Sequence, residues 1–110
     1  MHELSITRGI VAICDEQARG RRVTRVRLHI GKLSGVEVEA VRFCFDLCAE
    51  GTALEGAALD VDHIDGRGRC QECDEIVPLD TLLAICPCER RARVTLEAGD
   101  ELLIKSMEVS

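Results

Sequence analysis

The spacing of four cysteines limits this chain more than any other feature. Cys70-Gln71-Glu72-Cys73 is followed by twelve residues (74–85) and then by Cys86-Pro87-Cys88. Two close pairs of thiols at this separation form the ligand set of a tetrahedral metal site. Thiolate is a soft donor, and four of them select Zn²⁺ over hard cations. The Cys-x2-Cys spacing of the first pair lets one tight turn aim both sulfurs at one ion. The second pair is one residue shorter. Four sulfurs leave no open position for water, so such a site is structural rather than hydrolytic. Spacing alone leaves two other readings open: unligated thiols, and a redox pair at Cys70 and Cys73. A redox Cys-x-x-Cys sits at a helix N-terminus beside a parallel sheet, and Gln71-Glu72 lies instead inside an inserted loop.

Composition supports a metal. Phe43 and Phe45 are the only aromatic residues, so the core is built from Val, Ile, Leu and Ala. Residues 65–100 carry too little apolar surface to hold themselves together, and segments of that kind need a metal or a crosslink. The opening His2-Glu3 lacks the basic start and apolar run of a secretory leader, and no run approaches a membrane span. A reducing, cytosolic setting is therefore expected, in which closely spaced cysteines are metal ligands more often than disulfides. The net charge of −6 argues against nucleic acid as a partner. Arg90, Arg91 and Arg93 read as a solvated rim.

Around the cysteine stretch the chain alternates helix and strand. Ile6, Ile10, Ile13, Cys14 and Gln17 form a helical stripe over Leu4–Arg19, with Gly20 as the stop. Val23–Ile30 alternates as a strand, with Thr24, Val26, Leu28 and Ile30 on one face and Arg25, Arg27 and His29 on the other. A second helix is predicted over Val36–Ala49, its buried face made by Val36, Ala40, Phe43, Cys44, Leu47 and Cys48. Ala57–Ile64 and Glu101–Val109 read as further strands, and Gly66 and Gly68 mark the boundary of the cysteine lobe. Cys14, Cys44 and Cys48 read as core residues. The expected class is α+β: a small three-stranded sheet packed by two helices, with an inserted zinc-ribbon-like lobe. Residues 1–65 plus 99–110 form the α/β part and 66–98 the lobe. The last two strands are expected to pair antiparallel with the lobe hanging from their ends.

No Ser/His/Asp constellation or phosphate loop is present, and the chain does not read as an enzyme. Met1-His2-Glu3 is the remaining chemistry. An α-amino group and an imidazole one residue later close a chelate whose deprotonated amide nitrogens give square-planar N donation, which suits Ni²⁺ or Cu²⁺. Glu3 adds a carboxylate.

Met1-His2-Glu3-Leu4-Ser5-Ile6, the strand ending Ile30-Gly31, Phe43-Cys44-Phe45-Asp46, Leu54-Glu55-Gly56-Ala57, the cysteine quartet and the closing Gly99-x-Glu101-Leu102-x-Ile104-Lys105-x-Met107-Glu108-Val109 occur in this order. Together they resemble the HypA family of nickel metallochaperones over nearly the whole chain. The resemblance implies an accessory protein that delivers Ni(II) during [NiFe]-hydrogenase maturation, and in some organisms to urease. It implies a HypB-family GTPase and the hydrogenase large-subunit precursor as partners. It places nickel on Met1, His2 and Glu3, and structural Zn(II) on Cys70, Cys73, Cys86 and Cys88. The family carries Cys-Pro-x-Cys then Gly where this chain has Cys86-Pro87-Cys88-Glu89. Three outcomes follow: a strained four-sulfur site, a three-sulfur site completed by His63 or Glu89, or a weakened one. The first is expected, with Glu89 lacking glycine's freedom at positive φ. A homodimer made by exchanging the lobe through flexible glycines is a further expectation. The competing functional readings are a zinc-ribbon interaction module without nickel and a thiol oxidoreductase.

Overall fold

The computed structural model describes residues 2–81, 85–88 and 91–110. These make α1 (Glu3–Ala18), β1 (Val23–Gly31), α2 (Val38–Ala49), β2 (Ala58–Ile64), β3 (Gly66–Cys70), β4 (Ile76–Leu79), β5 (Val94–Ala98) and β6 (Leu102–Val109). Two three-stranded sheets result, ordered β2-β1-β6 and β4-β3-β5. They lie end to end in a molecule measuring 57 × 24 × 17 Å.

The first sheet corrects the expected pairing. β2 and β6 do not pair with each other; both flank β1, β2 parallel and β6 antiparallel. The reason lies in α2, since a strand-helix-strand crossover returns the second strand parallel to the first. β1 takes the centre because Val26, Leu28 and Ile30 are fully buried. Its alternation breaks near the start, where a register shift between Val23 and Arg25 puts Val23 inside and Thr24 outside. A bulge of this kind moves one side chain to the other face.

Both helices are turned from the faces their periodicity predicted. In α1 the buried stripe is Thr7, Ile10, Val11, Cys14 and Ala18, while Ile13 is 53% exposed. α1 packs along α2. The buried Thr7 hydroxyl donates to the Glu3 carbonyl at 2.7 Å. Arg19, not Gly20, takes the first left-handed position at the helix end (φ 52). In α2 the buried residues are Val41, Phe45 and Ala49, and Phe43 is 71% exposed. Apolar residues lie on more than one side of α2, so periodicity alone does not select a face. Two anchors fix the rotation: Arg42 donates to the Leu59 carbonyl at 3.1 Å, and the Glu37 N–H donates to Glu3 at 3.0 Å. The open face of the sheet is a charge ladder in which Arg25 meets Asp60 at 2.6 Å and Glu108 at 3.1 Å, and His29 meets Asp62 at 3.1 Å.

Glycines weld the two sheets. Leu33 N–H donates to the Gly99 carbonyl at 2.7 Å, Gly31 N–H to Glu101 at 2.7 Å, and Lys32 N–H to Ile64 at 2.8 Å. A Cβ on Gly31 would collide with the Gly99 carbonyl, and one on Gly66 with the Leu79 carbonyl and Leu33. The expected flexible joints are close-packed crossings. Leu33 itself reaches into the cluster of Cys70, Leu79, Cys86 and Val94 in the second sheet.

Candidate metal centres

Residues 66–98 hold strands that their sequence did not announce. Gly66-Arg67-Gly68-Arg69 has no apolar alternation, yet it is the centre of the second sheet, paired antiparallel to both β4 and β5. Glycine is required at position 68, where a Cβ would meet Val94 and the Thr95 carbonyl.

β3 delivers Cys70 to a tight turn. Asp74 N–H donates to the Cys70 carbonyl at 3.1 Å, and Asp74 adopts φ 62 so that the chain can reverse into β4. Inside the turn the Glu72 and Cys73 amides both point at Cys70 Sγ, each at 3.4 Å. A second turn matches it. Cys86 N–H donates to the Ala92 carbonyl at 3.0 Å, Arg91 N–H to the Cys88 carbonyl at 3.0 Å, and Arg91 adopts φ 48. The expectation for Glu89 lies outside the described residues; among those, Arg91 takes the left-handed position. The turns are tied together by Gln71 N–H donating to the Arg93 carbonyl at 3.2 Å.

All four sulfurs converge. Cys70 Sγ lies 3.8 Å from Cys88 Sγ, Cys73 Sγ lies 3.7 Å from Cys86 Sγ, and all lie within 4.8 Å of one another. A tetrahedral ion with bonds of about 2.3 Å to sulfur spaces its ligands about 3.8 Å apart. The residues therefore fit a four-sulfur ion, and the short Cys86-Pro87-Cys88 turn reaches it. His63 is exposed on β2 and stands outside the group.

The electrostatics ask for a cation. The Cys73 and Glu72 amides hold the Cys70 thiol below its ordinary value. Cys86 is pushed up to about 12: the Cys88 amide favours its thiolate, but burial and the neighbouring sulfurs of Cys73, Cys70 and Cys88 outweigh it. Four thiolates cannot share one small volume without positive charge between them. A redox dithiol is disfavoured on geometry: Cys70 ends a strand rather than opening a helix, and its sulfur faces Cys88. Cys14 is buried and its thiol is pushed up by that burial, while Cys44 and Cys48 are half-buried on α2. None of the three joins the metal group.

At the other end of the chain, His2 is exposed at the head of α1 and its side chain makes no capping bond. Met1 lies outside the described residues. Glu3 has a role that the sequence did not disclose: its Oε2 accepts the Glu37 N–H at the head of α2. That amide holds the Glu3 carboxyl below its usual value. No local signal announces this contact, because its partners are 34 residues apart.

A sheet under two helices, joined to a ribbon built around four convergent cysteines, defines a small α+β metal-site protein. A family model described as "Hydrogenase/urease nickel incorporation, metallochaperone, hypA" matches residues 1–109. The chain belongs to the HypA family of nickel metallochaperones for hydrogenase maturation, which are maturation factors and not enzymes. The hydrogenase maturation factor HypA of Geobacter sulfurreducens is 48% identical over 109 residues, covering 99% of each chain. That of Nostoc punctiforme is 49% identical over 109 residues, covering 99% of this chain and 96% of the relative. The solution structure of the Ni metallochaperone HypA from Helicobacter pylori shares the fold, with a TM-score of 0.67 at 24% identity over 99% of this chain and 97% of that one.

Proposed function

We propose that this chain binds Ni(II) at Met1, His2 and Glu3 and delivers it during [NiFe]-hydrogenase maturation, with a permanent Zn(II) on Cys70, Cys73, Cys86 and Cys88. The observation that carries the nickel half is the exposed His2 at the head of α1, its side chain uncommitted to the helix cap. Glu3 keeps one carboxylate oxygen for a metal while the other anchors the segment to α2. The roles divide by donor softness: sulfur holds the resident ion, nitrogen the transferable one. A surface site suits cargo that must leave again. In this scheme residues 1–65 plus 99–110 are the nickel part and 66–98 the zinc part. The partners are a HypB-family GTPase and the hydrogenase large-subunit precursor in the cytoplasm. Urease is a second client, in line with the description of the matching family model.

The test is a Ni²⁺ titration of untagged protein with metal analysis, on wild type and His2→Ala. His2→Ala is expected to lose stoichiometric nickel and keep its zinc. Full nickel affinity in the variant would sink the nickel site and leave a zinc-ribbon interaction module. Affinity is also expected to fall as pH drops, because protons compete for nitrogen donors.

A further inference from the structure

The two edges of the first sheet are guarded differently. β2 carries Asp60, Asp62 and Asp65 along or just beyond its length. Charged edges resist pairing with another chain. β6 instead presents Leu102-Leu103-Ile104 at an edge with no neighbour beyond it among the described residues. Leu102 is 41% exposed and Leu103 44%. Beside this stretch runs an apolar groove of about 440 Å³ between α1 and β6, into which Ile6, Ile10 and Ile13 also face.

The backbone of this stretch is free in a definite pattern. The Glu101 carbonyl accepts from Gly31 N–H, so the backbone groups of Glu101 and, two residues on, Leu103 point toward β1. The N–H and C=O groups of Leu102 and Ile104 therefore point outward. Leu102 and Ile104 lie opposite Ile30 and Leu28, on the helix side, while Leu103 lies opposite His29 on the open side. Lys105 lines the open face with Arg25, Arg27 and Asp60, and no ion pair to it is found among the described residues.

We propose that β6 pairs antiparallel with β6 of a second copy about a two-fold axis at Leu103. This register satisfies the outward groups: Leu102 and Ile104 of one copy exchange backbone hydrogen bonds with Ile104 and Leu102 of the other, about four in all. It is also complementary in charge. Glu101 lies two residues before the axis; Lys105, two residues after it, is the extra residue of a bulge opposite Arg27 and Leu28 and lines the open face with Arg25 and Asp60, so each Glu101 meets Lys105 of the second copy there. On the helix side the two grooves meet, and each copy's Leu102, Ile104 and Ile13 cover the other's. The sheet becomes six-stranded and its apolar edge disappears. A lobe-exchanged dimer needs none of this, and the interface rests on β6 and α1 whatever the fate of the nickel proposal.

The register makes the test specific. Sedimentation velocity on untagged, metal-loaded protein at up to about 100 µM should show a dimer for wild type. Lys105→Glu sets glutamates against each other at both ends and should weaken the dimer about tenfold or more, as should Glu101→Lys. Mixing the two variants should restore a dimer, because both ion pairs re-form only in the mixed species. Leu103→Arg places two like charges at the axis on an already exposed site and should give a monomer. Glu101 also accepts the Gly99 N–H at 2.7 Å, so circular dichroism must show that its variant is folded. If it is not, Lys105→Glu and Leu103→Arg decide the matter alone. A wild type that stays monomeric, or a dimer indifferent to Lys105→Glu or Leu103→Arg, overturns the proposal.

Discussion

The two sheets of this protein are held together by different physics. The first rests on a continuous apolar cluster that includes Val11, Val26, Leu28, Ile30, Val41, Phe45 and Leu54. The second has a buried cluster of Cys70, Leu79, Cys86 and Val94, half of it cysteine. Burial of side chains such as Phe45 and Leu28 contributes about 1.5–3 kcal/mol apiece, so the first sheet has a driving force of its own. Among the described residues the second buries only Leu79 and Val94 of this kind, backed by half-buried Val77, Ala92 and Leu96 and by Leu33 lent by the first. With the proposed zinc in place, the rest of its stability comes from a cation joining the four thiolates. In that scheme one chain contains a region that folds by excluding water and a region that folds by binding an ion.

The largest expected effect separates the two. Removing the metal with a chelator, or making Cys70→Ser, should abolish the structure of β3, β4 and β5 and leave β1, β2, β6 and both helices folded. Apparent binding free energies of structural zinc in small peptides are about 10–16 kcal/mol, far more than Leu79 and Val94 supply. Amide hydrogen exchange reads the outcome residue by residue. Simultaneous loss of protection in both sheets would mean that the welded glycines make one cooperative unit, and persistence of β3 without metal would refute the comparison outright.

The converse change strikes the first sheet. Phe45→Ala removes the largest fully buried side chain and should cost about 3–5 kcal/mol, read by denaturant unfolding, with metal content unchanged. Phe43→Ala, two residues earlier and mostly exposed, should cost almost nothing. The pair also tests the rotation of α2, because the sequence pattern places Phe43 inside. A larger loss from Phe43→Ala would mean that the helix is turned the other way.

That reversal shows where the sequence was legible. Strand β1 could be read because alternation reports a face directly and because one bulge disturbs only its first residues. The convergence of the four cysteines could be read because ligand spacing is a local property; even the shortened second turn brings its sulfurs to 3.7 and 3.8 Å from those of the first. The helix faces could not, since Phe43 and Leu47 compete with Val41 and Phe45, and tertiary contacts choose between them: the core cluster that takes in Val41 and Phe45, and the hydrogen bonds to Leu59 and Glu3. Strand β3 could not, because Gly66-Arg67-Gly68-Arg69 becomes a strand only when β4 and β5 flank it. The anchoring of Glu3 on α2 is likewise a tertiary event between distant residues.

A smaller effect concerns the seam between the regions. Gly99 adopts φ 115, and a Cβ there would press on Gly66 and Leu33. Gly99→Ala should therefore cost about 1–3 kcal/mol through strain alone. The comparison predicts how the loss is shared. Gly66 opens β3 and Leu33 packs into the cluster of the second sheet, so exchange in β3 should accelerate before exchange in β1 does. Equal acceleration would show that the seam couples the sheets more tightly than either core holds itself.

The smallest effect lies on the open face of the first sheet. Hydrogen bonding to Arg25 holds the Asp60 carboxyl below its ordinary value of 3.8, with Arg27 and Arg42 adding to the effect. A carboxyl lowered on folding stabilises the fold above that ordinary value, and the contribution disappears as pH falls through the lowered one. Both residues of the pair are exposed to solvent, so water and salt screen the interaction. Asp60→Asn should lower the Tm of the first sheet slightly at neutral pH. It should also flatten the acid limb of its pH profile, and added salt should shrink the difference from wild type. Metal retention by the lobe should not respond. If Asp60→Asn instead rivalled Phe45→Ala, the first sheet would owe its stability to its charge ladder, and the contrast between a water-excluding region and an ion-binding one would fail.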